Sequence, residues 1–339
     1  MTIKATSRSA FLSFAIAIAC ACGSQQAQAV CAILSSSVSP LSISTGTYSP
    51  PNAPSPQSLT ITVSGTYLAA LGDLAGGCAI AVAFNRSSLP ASMALTSGGL
   101  ASMPYTLQSA SSGGNSLLYT GSGLPAQSNS LLLNFPASTL SIATFSVSGT
   151  VWALAQPIDP QQAGSYLDNL TVRVFSSTLA GLLQGQVSSQ TFTVTGQVAK
   201  SCTIGGVFHP AADTATIPIT AGGQVVTAVI NKSYANAVCN TPSSLQLTSQ
   251  NGGVTTASTA AGLQNFINYS ASASFSGASA SIDTATNPAT GAQESGSPAS
   301  TSGSLPSGTL SVSVVPQLNS KTLVAGPYAD TLTITITPQ

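Results

Sequence analysis

Charge is what this sequence lacks. Of its 339 residues only 4% are charged, against about a quarter in an ordinary soluble protein. Seven Lys and Arg in total cannot form the basic cluster that neutralises a phosphate backbone, so nucleic acid is excluded as a partner. The single histidine, His209, leaves multi-histidine metal sites and histidine-based acid–base chemistry close to impossible, and it sits beside Pro210 with no cysteine or serine motif nearby; no metal and no cofactor are expected. No G-x-S-x-G or H-E-x-x-H signature occurs. The seven carboxylates are scattered, and the chain is not expected to be an enzyme; a paired-carboxylate glycosidase is the residual alternative. Disorder driven by charge is excluded too, because 43% of residues are hydrophobic. The length suits two domains.

What is present begins with an export signal. Lys4 and Arg8 precede an apolar run from Ala10 to Cys22, and Ala27-Gln28-Ala29 follows polar residues. Those are the three parts of a secretory signal, and the run is too short to span a bilayer. Residues 1–29 are therefore read as removed, with lipid attachment at Cys20 or Cys22 as the rival. The mature chain is expected to be exported and soluble, with two fewer basic residues and a net charge of −2. Its four cysteines, Cys31, Cys78, Cys202 and Cys239, allow three pairings. Their grouping, two early and two late, favours Cys31–Cys78 and Cys202–Cys239 in an oxidising compartment.

Apolar and polar residues alternate at period two in Leu59–Val63, Ala79–Phe84, Leu170–Val174, Gln190–Val198, Val225–Ile230 and Leu332–Thr337. Proline and glycine clusters punctuate the runs, and no helical stripe stands out. The fold class expected is all-β, built of antiparallel sandwiches with Ser/Thr-rich outer faces. Two halves echo each other. Each opens on Cys-x-Ile, at Cys31 and Cys202. Each closes on Gly-x-Tyr-x-Asp-x-Leu, at Gly164–Leu170 and Gly326–Leu332. Asp168 and Asp330 recur at equivalent places, which points to a structural role. Ser/Ala/Gly/Thr repetition between Ala271 and Gly308 reads as a long mobile loop. The domains expected are 30–198 and 199–339.

The closing strands, the paired cysteines and Met103-Pro104-Tyr105-Thr106-Leu107 resemble the spore coat protein U family, which includes subunits of archaic, Csu-type chaperone–usher pili. The resemblance implies immunoglobulin-like pilin domains lacking their last strand. It implies as partners a periplasmic pilus chaperone, an outer-membrane usher and an adjacent subunit that donates the strand. After Thr337 only Pro338 and Gln339 remain, so the second domain is expected to accept a strand in trans. The first has its own: about residues 190–198, with Phe192, Val194 and Val198 on one face, can complete it in cis. With cleavage after Ala29, only Val30 precedes Cys31, too little to donate onward. These expectations place the chain at the tip of a pilus, at the cell surface.

Three connections at the far end of the first domain are unusually apolar. One holds Leu68, Leu71 and Leu74; the next Leu124, Leu131, Leu132, Leu133 and Phe135; the last Leu179, Leu182, Leu183 and Val187. Exposed apolar patches mark interaction sites, so these residues are candidates for binding a hydrophobic abiotic or host surface and starting a biofilm. The opposing reading tucks them into the sandwich. Two alternatives stand beside this function. One is a sugar-binding head, stacking on Tyr67, Tyr105, Tyr119 or Trp152, although the alternation around Trp152 favours its core packing. The other is a secreted coat or matrix protein outside any pilus.

Overall fold

The computed structural model describes residues 31–69, 76–97, 101–111, 114–137, 140–208, 210–285 and 292–339. The segment read as an export signal, Leu71, Leu74 and His209 lie outside them. Residues 31–198 form eleven strands: β1 (Ala32–Ser39), β2 (Ser42–Tyr48), β3 (Gln57–Leu68), β4 (Cys78–Arg86), β5 (Ser92–Leu95), β6 (Ser102–Gln108), β7 (Leu118–Thr120), β8 (Leu131–Phe135), β9 (Ala143–Ala155), β10 (Gly164–Ser177) and β11 (Leu183–Val198). β1, β3, β9 and β6 make one sheet. The other is centred on β10, which pairs antiparallel with both β4 and β11.

The period-two runs supply the core between these sheets. Ile61, Val63, Val151 and Ala153 face Ile80, Val82, Phe84, Val172 and Val174, all at most 1% exposed. β4 departs from alternation: Cys78 to Phe84 is buried throughout. Its second face, carrying Ala81 and Ala83, is covered by Tyr119, Phe175 and Leu183. Trp152 departs from the expected core packing. β9 buries Val151 and Ala153, so Trp152 points to the opposite, half-exposed face.

Residues 202–338 carry β12 (Cys202–Ile204), β13 (Ile230–Cys239), β14 (Ser243–Ser249), β15 (Val254–Thr255), β16 (Phe266–Ile267), β17 (Tyr269–Phe275), β18 (Ala278–Asp283), β19 (Glu294–Ser295), β20 (Ala299–Ser300), β21 (Ser307–Pro316) and β22 (Leu332–Pro338). A sheet in the order β12-β13-β21-β17-β18 faces one in which β14 pairs with β19, β20 and β22. Their core is separate from the first and includes Leu245, Leu247, Phe275, Ile282 and Leu310. The stretch expected as a mobile loop is corrected here: 269–283 is the hairpin β17–β18. Its Ala271, Ala273, Ala278 and Ala280 are at most 3% exposed, alternating with outward serines, so alanine is the apolar member of the pattern.

Both disulfides join the cysteines grouped in sequence, Cys31–Cys78 and Cys202–Cys239. Asn240 ties the two sets of sheets together. Its backbone accepts from Ala163 N at 2.7 Å, its Oδ1 from Ser201 N at 2.8 Å, and its Nδ2 donates to Ala199 O at 2.8 Å.

Candidate strand-acceptor edge and surface loops

β10 and β22 are counterparts to the level of single atoms. In the ladder, β10 pairs Thr171 with Asn85, which puts Leu170 level with Arg86; β22 pairs Leu332 with Ser249. Arg86 Nε donates to Asp168 Oδ2 at 2.7 Å, and Ser249 Oγ donates to Asp330 Oδ2 at 2.6 Å. A tyrosine hydroxyl joins each: Tyr105 to Asp168 Oδ2 at 2.7 Å, and Tyr269 to Asp330 Oδ2 at 2.6 Å. Each aspartate thus locks the start of its strand to the opposite sheet. Burial, and then the bond to the carboxylate, hold both phenols well above their ordinary value.

The strands differ in what lies on their other side. β11 runs antiparallel along β10 from Ser177↔Leu183 to Gly164↔Val198, and β2 pairs parallel with β11 beyond it. Leu170, Val172 and Val174 are consequently at most 3% exposed. Phe192 and Val194 are 0% exposed and Val198 2%, and Phe192 meets Phe84 edge-on at 4.8 Å. On β22, no strand among the described residues pairs with the edge away from β14. Leu332, Ile334 and Ile336, in the places of Leu170, Val172 and Val174, are only half-buried. The edge leaves a row of main-chain groups and an apolar stripe unpaired, which is what an added strand satisfies.

The candidate loop residues divide. Leu133 and Phe135 are corrected from surface loop to core: they sit in β8, paired with Ile80 and Cys78 of β4, and are 6% and 7% exposed. Leu131 and Leu132 share that strand and are half-buried. Leu183 and Val187 belong to β11, which starts earlier than the alternation suggested, and are half-buried. Leu68, Leu124, Leu179 and Leu182 are 40%, 50%, 40% and 54% exposed. The segments bearing the last three meet: Gln127 Nε2 donates to Ala180 O at 2.9 Å, and Leu179 lines a shallow hollow with Gly76, Pro136 and Ala137. Sixteen residues of β11 separate this cluster from Val198, a span of roughly 50 Å at strand rise. Of the aromatics weighed for sugar stacking, Tyr67, Tyr105 and Tyr119 are at most 7% exposed. Tyr67 is instead packed edge-on against Phe135 and Phe145.

No protein-family model matches the sequence, and no curated protein matches it. Among solved structures the chain is similar to the CsuC–CsuE chaperone–tip adhesion subunit pre-assembly complex from archaic chaperone–usher Csu pili of Acinetobacter baumannii. That match has 15% identity and a TM-score of 0.39 over 91% of this chain and 99% of the other. It is also similar to the CupB6 tip adhesin from Pseudomonas aeruginosa, at 10% identity and a TM-score of 0.31, covering 91% and 93%. A third likeness, to the CooA pilin subunit from enterotoxigenic Escherichia coli, has 15% identity and a TM-score of 0.29 and covers 50% of this chain and 99% of that one.

Proposed function

We propose that the chain is the terminal, adhesive subunit of a chaperone–usher-type pilus. Its second sandwich accepts a strand from a chaperone and then from a neighbouring subunit; its first sandwich is the head. The observation that carries this reading is the half-exposed Leu332-Ile334-Ile336 edge beside the filled Leu170-Val172-Val174 edge. Among the described residues one sandwich is closed and one is open, which leaves one seat for a partner strand. The segment between β12 and β13, which takes the sequence place of β2, adds exposed Val207, Phe208, Val226 and Val229, further apolar surface for the partner strand to cover.

The chain supplies its own probe for the open seat. A peptide with the sequence of residues 188–198 already fits β10, and β22 repeats the apolar places of β10. Added to the full chain, it should raise the melting transition of the second sandwich by roughly 10 °C at a hundredfold excess over Kd. The same peptide with aspartate for its Val194 should not. No shift, or an equal shift from both peptides, would remove the acceptor reading and leave a self-contained coat or matrix protein.

The head is read as holding to hydrophobic surfaces through Leu124, Leu179 and Leu182, and so as starting a biofilm. Each leucine buried against such a surface contributes about 1.5–3 kcal/mol before association costs, a weak grip that many pili per cell multiply. Replacing all three by aspartate should leave melting unchanged and abolish retention of cells on polystyrene. Retention at the native level would refer attachment to another face.

A further inference from the structure

The first sandwich meets the second at the turn that leads into β10. There the Tyr166 hydroxyl donates back to Gln162 O at 2.6 Å and closes residues 162–166 on themselves. Ala163, inside this turn, is half-buried, and its N donates to Asn240 O of the second sandwich at 2.7 Å. Asn240 directly follows the disulfide-bonded Cys239. Between the end of β11 at Val198 and the start of β12 at Cys202 the chain has little freedom. Ala199 N donates to Tyr48 O at 2.8 Å, and the Asn240 side chain holds Ala199 O and Ser201 N. A strand that completes one sandwich thus passes at once into a body seated on the turn beside it.

The second sandwich repeats this turn and leaves it uncovered. The Tyr328 hydroxyl reaches Val324 O, again four residues back, and Gln264 O, each at 3.0 Å, so Ala325 stands where Ala163 stands. β22 ends opposite Ser243, close to the junction, and begins opposite Ser249, which puts the Ala325 turn at the end away from the head. Ala325 and Gly326 are exposed, and among the described residues Ala325 N donates no hydrogen bond. A hollow opens beside it, lined by Ile219, Gly222, Val324 and Tyr328, and Ile219 is 43% exposed.

β11 ends at Val198 opposite Gly164, the first residue of β10. A strand that lies on β22 in the same direction therefore ends beside the Ala325 turn, and the rest of its own chain emerges there. We propose that this turn is a second seat, taken by the body of the strand-donating subunit. Its contact is a main-chain carbonyl from the turn after a disulfide-bonded cysteine, accepting from Ala325 N as Asn240 O accepts from Ala163 N, with apolar side chains filling the hollow beside Ile219. Water already satisfies an exposed N–H, so the bond adds little affinity; it fixes how the subunit sits on its strand. A donor joined to its strand by a link as short as residues 199–201 is held against the seat, whereas a long flexible linker would let it swing free. This second seat rests on the acceptor reading of β22 and extends it from a strand to a whole neighbouring domain.

Photo-crosslinking of the full chain, in fibres sheared from cells that produce it, tests the seat. A benzoylphenylalanine probe replaces Ala325, Ile334 on the β22 edge or, as a control, Ser128 on the head, and the products are mapped by mass spectrometry. The probes at 325 and 334 should join one and the same protein, 334 at its N-terminal strand and 325 within a few residues of a disulfide-bonded cysteine. Thr322, exposed on the rim of the same hollow, carries the probe if the 325 form melts early. A product from 334 with none from 325 or 322 overturns the second seat and leaves the acceptor edge standing. No product from either place removes the acceptor reading, and the second seat with it. Different proteins joined at 325 and 334, or an equal yield from 128, overturn the seat as well.

Discussion

Phe192→Ala should destabilise the first sandwich by about 3–5 kcal/mol, the range for deleting a fully buried aromatic, whereas Leu332→Ala should cost the free second sandwich much less. Phe192 is 0% exposed and packs on Phe84; it fills the groove between the sheets as β11 completes them. Leu332 sits on the open edge and keeps much of its surface in water, so little burial is lost with it. The difference should invert once a partner strand is added: Leu332→Ala should then weaken peptide binding, while Phe192→Ala should not. Urea unfolding of the full chain, followed by hydrogen exchange in β10 and β22, separates the two transitions. Equal losses in the free chain would mean that the β22 edge is covered after all.

The strands that alternate large and polar residues were legible: Leu59 to Val63, Leu170 to Val174 and Phe192-x-Val194 all form as read. Where alanine carries the alternation the signal faded, because alanine buries too little surface to stand out from a Ser/Ala/Gly background. The β17–β18 hairpin was missed for that reason. Leu131 to Phe135 failed differently. A short apolar run flanked by Ser130 and Pro136 reads equally as an exposed loop or an inserted strand, and only its pairing with β4 decides. Trp152 shows the limit of period two: the pattern gives alternation but not which phase faces the core. The open edge is a matter of pairing: among the described residues β22 has β14 on one side and no strand on the other.

Asp168→Ala should destabilise the first sandwich by about 3–5 kcal/mol, because it leaves the Arg86 cation and the Tyr105 hydroxyl without their acceptor. The Arg86 and Asp168 side chains are 16% and 14% exposed, too little for water to replace the bond fully. Asp168→Asn should cost less, since an amide oxygen still accepts from Tyr105. At Asp330 the donors are neutral, from Ser249, Tyr269 and the Asn251 backbone, so Asp330→Ala should cost about 1–3 kcal/mol. The alkaline limb gives a second readout. Tyr105 and Tyr269 keep in the folded state a proton that the unfolded chain releases near its ordinary value of 10.0. Their contribution is therefore full below about pH 10 and is lost as pH rises through the higher folded values. Removing Asp168 takes away one of the causes that raise Tyr105, so tyrosinate absorbance of the folded variant should appear at lower pH than in the native protein. An alkaline limb unmoved by Asp168→Ala would detach the phenol from the carboxylate and leave burial as its sole cause.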